Sequence, residues 1–387
     1  MYSLLCLLVL TILFFFPVQI DVRINYIVWG FSIFLLPIFI PNFKADIKNG
    51  SLIALFFLFF LLASLLSTAF SIDVKRSLLM LFTYASYFVI FTSIHSIFPT
   101  RKSKKLLVNC YLLIVSILAL ISLYHTLILH YVNRAKEGVS FMWIYYAHNH
   151  LSALLVFAIP LSLYLLKIYW HRKIINVVLL VNCYLLIITL FLTFSRASLI
   201  SLIIAGIAAV LLFRFIPKRK IFLLLAICSI AIIIFSFILA NAKQIGVSKP
   251  DVFNSTRTIY WKTAIVNGLA HPMTGTGLDT FRTLSYEARV LKTHYAHNFF
   301  FQMLSDAGIL GFISSIGLIG SVLWKGVKKL KTPGKLTIKQ QFFYSALFVG
   351  ILASTLNTLV DFDWQLPTVF LLFWIISGIM LFSEEKK

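Results

Sequence analysis

The chain is 387 residues long, 60% hydrophobic and only 12% charged, with a mean hydropathy of +0.97. That composition excludes a water-soluble globular domain and points to a polytopic membrane protein. The net charge of +22 would suit a nucleic-acid binder, but it is spread between apolar runs in the manner of membrane topology, so no nucleic-acid partner is expected.

In chain order, apolar runs near the ~20 residues that cross a bilayer predict twelve spans. They lie at about 3–20, 25–41, 51–70, 78–98, 106–131, 151–170, 174–194, 197–216, 221–240, 298–323, 342–360 and 368–383. Lipid offers the backbone no hydrogen-bond partners and the period-2 alternation of a barrel is absent, so the fold class expected is all-α, a polytopic helical bundle. The organisation expected is spans one to nine over 1–240, an extracytoplasmic catalytic loop over 241–297, and spans ten to twelve over 298–387. With twelve spans, 21 of the 34 Lys and Arg fall on one side, seven in the 241–297 stretch and six in the other segments on that second side. The positive-inside rule then puts both termini in the cytoplasm and the long stretch outside. The first run lacks a basic leader and a small-residue cleavage site, and is read as a retained span.

Four polar places gather on the outer side. At Thr193-Phe194-Ser195-Arg196, Ser195 can cap the next helix and leave Arg196 in its first turn. A cation there opposes the helix dipole unless an anion joins it, and an Arg at a span centre costs roughly 2.5–3.5 kcal/mol. A snorkelling interface anchor is the plainer alternative. Within the long stretch, Asn254 or Ser255 can cap a helix over about 256–269 whose apolar Ile259, Trp261, Ala264 and Ile265 would lie on the membrane or the bundle roof. Arg257 then sits in the first turn, where free N–H groups and a guanidinium together suit phosphate oxygens. At Thr293-His294-Tyr295-Ala296-His297-Asn298, Asn298 can cap the tenth span and His297 is a candidate general base, with His294 the weaker of the two. Gly308 and Gly311 follow on one face of that span, which would let a neighbouring helix approach closely. The fourth place is a pair of short segments, one with His148 and His150, the other with Asp361 and Asp363. Their spacing does not link them as metal ligands, so they are expected to line a polar pocket or cap helices, with no metal and no cofactor. Asp306 is the acidic residue clearly within a span, and its charge calls for an arginine partner from the bundle.

These segments together resemble the O-antigen ligase and O-antigen polymerase superfamily. The resemblance is carried by Thr193 to Ala197, by Arg257 with Tyr260-Trp261 and His271-Pro272-Met273-Thr274-Gly275-Thr276-Gly277, by His297-Asn298 with Gly308 and Gly311, and by the Asp361 segment. It implies a bacterial inner-membrane glycosyltransferase working outside the cytoplasm. A glycan would pass from undecaprenyl pyrophosphate to an acceptor hydroxyl, on a lipid A-core sugar or a growing glycan, with inversion and without metal. Arg196, Arg257 and His297 would be catalytic. Asn298, His294, Trp261, His148, His150, Asp361 and Asp363 would bind substrate. Membrane lipids surround the bundle. Extension of the glycan on its lipid carrier by a polymerase is one alternative, and a lipid-linked sugar flippase or secondary transporter is the other.

Overall fold

The computed structural model describes residues 22–127, 148–193, 195–213, 256–287, 293–332 and 336–382. The expected spans at 3–20 and 221–240, and the caps Asn254 and Ser255, lie outside them. The described residues are helical and contain no strand: α1 (Val22–Lys48), α2 (Leu52–Ala69), α3 (Val74–Ile97), α4 (Arg101–Leu127), α5 (His148–Ile168), α6 (Lys173–Leu192), α7 (Arg196–Phe213), α8 (Thr256–Ala270), α9 (Phe281–Glu287), α10 (Phe299–Lys331), α11 (Ile338–Asn357) and α12 (Pro367–Leu381). Eight of them, α1 to α7 and α10, are long and apolar enough to cross a membrane, and α12 is a shorter apolar helix. The face of α6 bearing Ile174, Val177, Val178 and Val181 is 58–84% exposed, an apolar surface that suits lipid and would be costly in water.

Inside the bundle α10 packs on α2 and α8, α1 on α3, α11 on α5 and α7, and α12 on α3. Aromatic side chains fill the centre. Trp364 is 1% exposed, stacks on Phe370 at 4.8 Å and meets Phe299 edge-on at 5.2 Å. Its indole N–H donates to Ser354 Oγ at 2.9 Å, so the polar end of a large apolar ring is satisfied. This cluster lies directly under the α11–α12 connection, which carries Asp361.

The tenth expected span differs from a continuous helix. α10 breaks at Gly308, whose φ of 67° and ψ of −165° lie in a region open only to glycine. The turn 271–280 fills the break. Thr276 N–H donates to Ser305 O (3.1 Å), Gly277 N–H to Asp306 O (3.0 Å) and Ile309 N–H to Pro272 O (2.8 Å). On its other side the turn meets the α2–α3 connection, through Ile72 N–H to Thr276 O (3.0 Å) and Ser77 Oγ to Leu278 O (3.0 Å). The glycines of the His271 to Gly277 motif and of α10 therefore serve one joint. A Cβ on Gly308 would stand 2.4 Å from Pro272 O, and one on Gly275 would stand 2.3 Å from Asp306 C. Gly308 thus admits the turn's backbone, where the sequence had suggested a neighbouring helix. Gly308→Ala combines a positive φ with a backbone clash, and should destabilise by about 3 kcal/mol or more. A fall in thermal midpoint and in folded yield from detergent checks this.

Asp306 also finds other partners than the expected arginine. Its Oδ2 accepts from Gln302 Nε2 (3.0 Å) and from Asp279 N–H (2.9 Å), so the acid anchors the turn to the helix break. Asp279 adopts a φ of 57°. Burial raises its carboxyl to about 6 against the opposing pull of Arg76 and Arg282. A folded value above the unfolded 3.8 means that stability from this group is fully present below about 3.8 and is lost as pH rises through about 6. Asp279→Asn carries no charge into the fold and tolerates a positive φ. It should stabilise by on the order of 1–3 kcal/mol at neutral pH, with the gain vanishing toward pH 4 in thermal melts across that range.

Candidate active site

Three elements deliver the polar groups to one place. α8 is fastened to α10 by Asn267 Nδ2 donating to Ser305 Oγ at 2.8 Å, and Gly268 lets the two helices close, since a Cβ there would meet Leu304 at 2.6 Å. This fixes Arg257, the second residue of α8. Asn298 caps α10, its Oδ1 accepting from Phe300 N–H (2.9 Å) and Phe301 N–H (3.1 Å). Its Nδ2 donates to Leu359 O (2.8 Å) and Phe299 N–H donates to Thr358 O (3.1 Å). The start of α10 is thereby tied to the α11–α12 connection just before Asp361.

Arg257 and His297 converge on that aspartate. Arg257 Nη2 donates to Asp361 Oδ2 at 3.2 Å, and His297 Nδ1 lies 3.5 Å from Oδ1. The second contact is too long for a hydrogen bond, and His297 Nδ1 has no hydrogen-bond partner among the described residues. Asp361 is only 1% exposed, against 32% for the Arg257 side chain and 17% for His297. Burial opposes its ionisation, but the neighbouring His297 imidazole and the charge of Arg257 outweigh burial and hold its carboxyl below the usual range. Its neighbour Asp363 moves the other way, raised well above that range by burial and then by the charge of Asp361. Asn357 Nδ2 donates to Asp363 Oδ2. Ionisation is thus favoured at Asp361 and opposed at Asp363.

His297 itself sits at a φ of 53°, an uncommon backbone state for a residue with a Cβ. The kink places its ring between Tyr260, stacked at 5.4 Å, and the edge of Phe362 at 4.6 Å. Trp261 Nε1 donates to His297 O at 3.3 Å and steadies the turn. Nδ1 is the ring nitrogen on the Asp361 side, which leaves Nε2 as the atom turned to the other polar neighbour. That atom faces the Thr293 hydroxyl at 3.3 Å, whose single hydrogen serves either Nε2 or Tyr295 O, 3.0 Å away.

The remaining expected residues divide. His150 is buried and meets Phe362 edge-on at 5.5 Å, so it belongs to the wall that Phe362 shares with His297. His148 opens α5. Arg196 opens α7, close enough to Arg257 for the two positive charges to act on each other. Ser195 does not cap α7 as expected: its hydroxyl donates to Ser198 Oγ at 3.2 Å, which in turn bonds Ser152 Oγ of α5 at 2.7 Å. His294 is exposed and lies apart from the cluster, beside Tyr295. Partial desolvation, then the charges of Arg282 and Arg76, hold its imidazole below the usual range. The sequence reading missed Tyr260, Thr293 and Phe362 as neighbours of His297, and saw Asp361 as a pocket group without its link to Arg257 and His297. Tyr260 was legible one helical turn after Arg257.

The comparison with known proteins bears on this cluster. No curated sequence matches the chain significantly. Residues 181–316 match the family model described as O-antigen ligase, a segment that spans Arg196, Arg257 and His297 and stops short of Asp361. Over residues 181–316 the chain is thus similar to the O-antigen ligase family, and that match supports a place in the O-antigen ligase superfamily.

Proposed function

We propose that the chain transfers a glycan from undecaprenyl pyrophosphate to an acceptor hydroxyl at the extracytoplasmic face of the bacterial inner membrane. The observation that carries this reading is the meeting of Arg257 and His297 on one buried, ionised carboxylate. With Nη2 engaged by Asp361, the partly exposed guanidinium of Arg257 directs its other N–H groups to pyrophosphate oxygens, and Arg196 adds a second positive charge. Two like charges at adjacent helix starts favour an anion between them. The acceptor hydroxyl takes the place of Thr293 at His297 Nε2. As its oxygen bonds to the anomeric carbon, the bond from that carbon to the pyrophosphate breaks, and the electron pair leaves on phosphate held by Arg257 and Arg196. The hydroxyl proton passes to Nε2, and Asp361 stabilises the imidazolium that forms. A single displacement inverts the anomeric centre. Trp261, Asn298 and Asp363 act through the atoms they hold, while His150 borders the site through Phe362.

The carrier alternative draws no support from Asp306, which is bound to Gln302 and to the 271–280 turn. Purified protein in liposomes with lipid-linked glycan and candidate acceptors tests the proposal. His297→Ala and Arg257→Ala should both lose transfer by at least about 100-fold, and retention of wild-type transfer by either refutes the assignment. Glycan appearing on a separate acceptor identifies a ligase, lengthening on the lipid carrier identifies a polymerase, and export without covalent transfer identifies a carrier.

A further inference from the structure

A second polar space adjoins the site. A cavity of about 330 Å³ lies between the start of α3, α9 and the 3-10 turn Asp363–Gln365, at the small end of the range for small-molecule sites. Its walls carry Arg76, Arg282 and Asp279 together with Tyr87, Tyr295 and Gln365. Guanidinium, carboxylate, amide and phenol groups around one small space offer donors and acceptors in several directions, with aromatic faces between them. That is the complement of a sugar ring, which presents hydroxyls at its rim and C–H groups on its faces.

Two further observations point the same way. Gln365 is 9% exposed and its Nε2 is buried with no hydrogen-bond partner among the described residues. A buried amide donor in this state costs free energy, and Gln365 is itself part of the cavity wall. The cavity is also joined to the base. Tyr295 stacks on Phe362 at 5.4 Å, and Phe362 meets His297 at 4.6 Å, so two ring contacts connect the cavity wall to the imidazole. Gln365 closes the turn that begins at Asp363, two residues after Asp361.

We propose that this cavity is a saccharide subsite, which seats a sugar ring of one of the two reacting glycans beside His297. The inference rests on the glycan-transfer reading but is tested apart from it. Binding of free maltose, N-acetyllactosamine and a hyaluronan disaccharide to the full-length protein in nanodiscs is measured by saturation-transfer NMR. Steady-state transfer is measured in parallel. Gln365→Leu and Arg282→Gln are made singly, with thermal melts to confirm folding. At least one disaccharide should bind the wild type, and each variant should weaken it roughly ten-fold, while His297→Ala retains it. In transfer, the variants should raise KM roughly ten-fold for either donor or acceptor, with kcat held within about two-fold. The substrate whose KM rises identifies which glycan the cavity holds. Failure of every disaccharide to bind, or folded variants that bind and turn over as the wild type does, overturns the subsite. Absence of transfer by the wild type refutes the functional reading instead, and the binding arm still decides the cavity.

Discussion

Asp361→Asn should lower glycan transfer by roughly 10²–10⁴-fold while leaving the protein folded. The amide keeps the shape of the carboxylate but removes the charge on which Arg257 Nη2 and His297 Nδ1 both depend. Three effects then act together. Arg257 loses the partner that fixes its fork, the imidazole can present either tautomer, and the imidazolium formed during transfer has no counter-ion in a buried setting. The loss should fall on kcat, since the carboxylate acts through the two groups and does not itself touch substrate. Asp361→Glu should recover little, because one added methylene displaces both contacts in a residue that is 1% exposed. Asp363→Asn gives the contrast: burial and the charge of Asp361 already oppose ionisation of this carboxyl, and transfer should fall about ten-fold or less. Comparable losses at the two positions would mean that the negative charge is not localised on Asp361. Transfer by Asp361→Asn within about threefold of wild type would remove it from the mechanism.

Why this carboxylate was harder to read than its partners follows from what a sequence encodes locally. Arg257 and Asn298 announce themselves, because a cap or a first-turn cation is a matter of neighbours within one helical turn. The helix over Thr256–Ala270 and the start of α10 at Phe299 match those expectations within a residue. Asp361 is 104 residues from Arg257, and nothing in either segment's periodicity links them. The break in α10 shows the same limit. A glycine at 308 within an apolar run reads as a close helix contact, and only the docking of the 271–280 turn reveals that it accommodates a φ of 67°. Asp306 looked like a charge in need of an arginine because its true partners are a side-chain amide one turn before it and the backbone of a distant turn. Span-level structure was legible because hydrophobic length and polar breaks suffice for it. Pairings between spans required the tertiary fold.

Arg257→Ala should reduce kcat by roughly 10²–10³-fold, the cost of removing one preorganised stabiliser of a developing anion. Arg257→Lys should recover less than about ten-fold of that loss, and the reason is geometric. The guanidinium can hold Asp361 through Nη2 while its remaining N–H groups address a pyrophosphate, whereas an ammonium is a single flexible point charge. Arg196→Ala should cost less, because Arg196 stands at the start of α7 and acts on the site through its charge near Arg257. The double substitution should cost less than the product of the single losses, since each cation also repels the other and removing one relieves that strain on its neighbour. Inhibition by free inorganic pyrophosphate supplies the check that separates this role from a structural one. Wild type should be inhibited, and Arg257→Ala, in protein shown by thermal melts to be folded, should raise the inhibition constant at least about ten-fold. An Arg257→Ala protein that loses transfer but still binds pyrophosphate as the wild type does would assign the arginine to holding Asp361 alone, and the leaving group would then have to rely on Arg196.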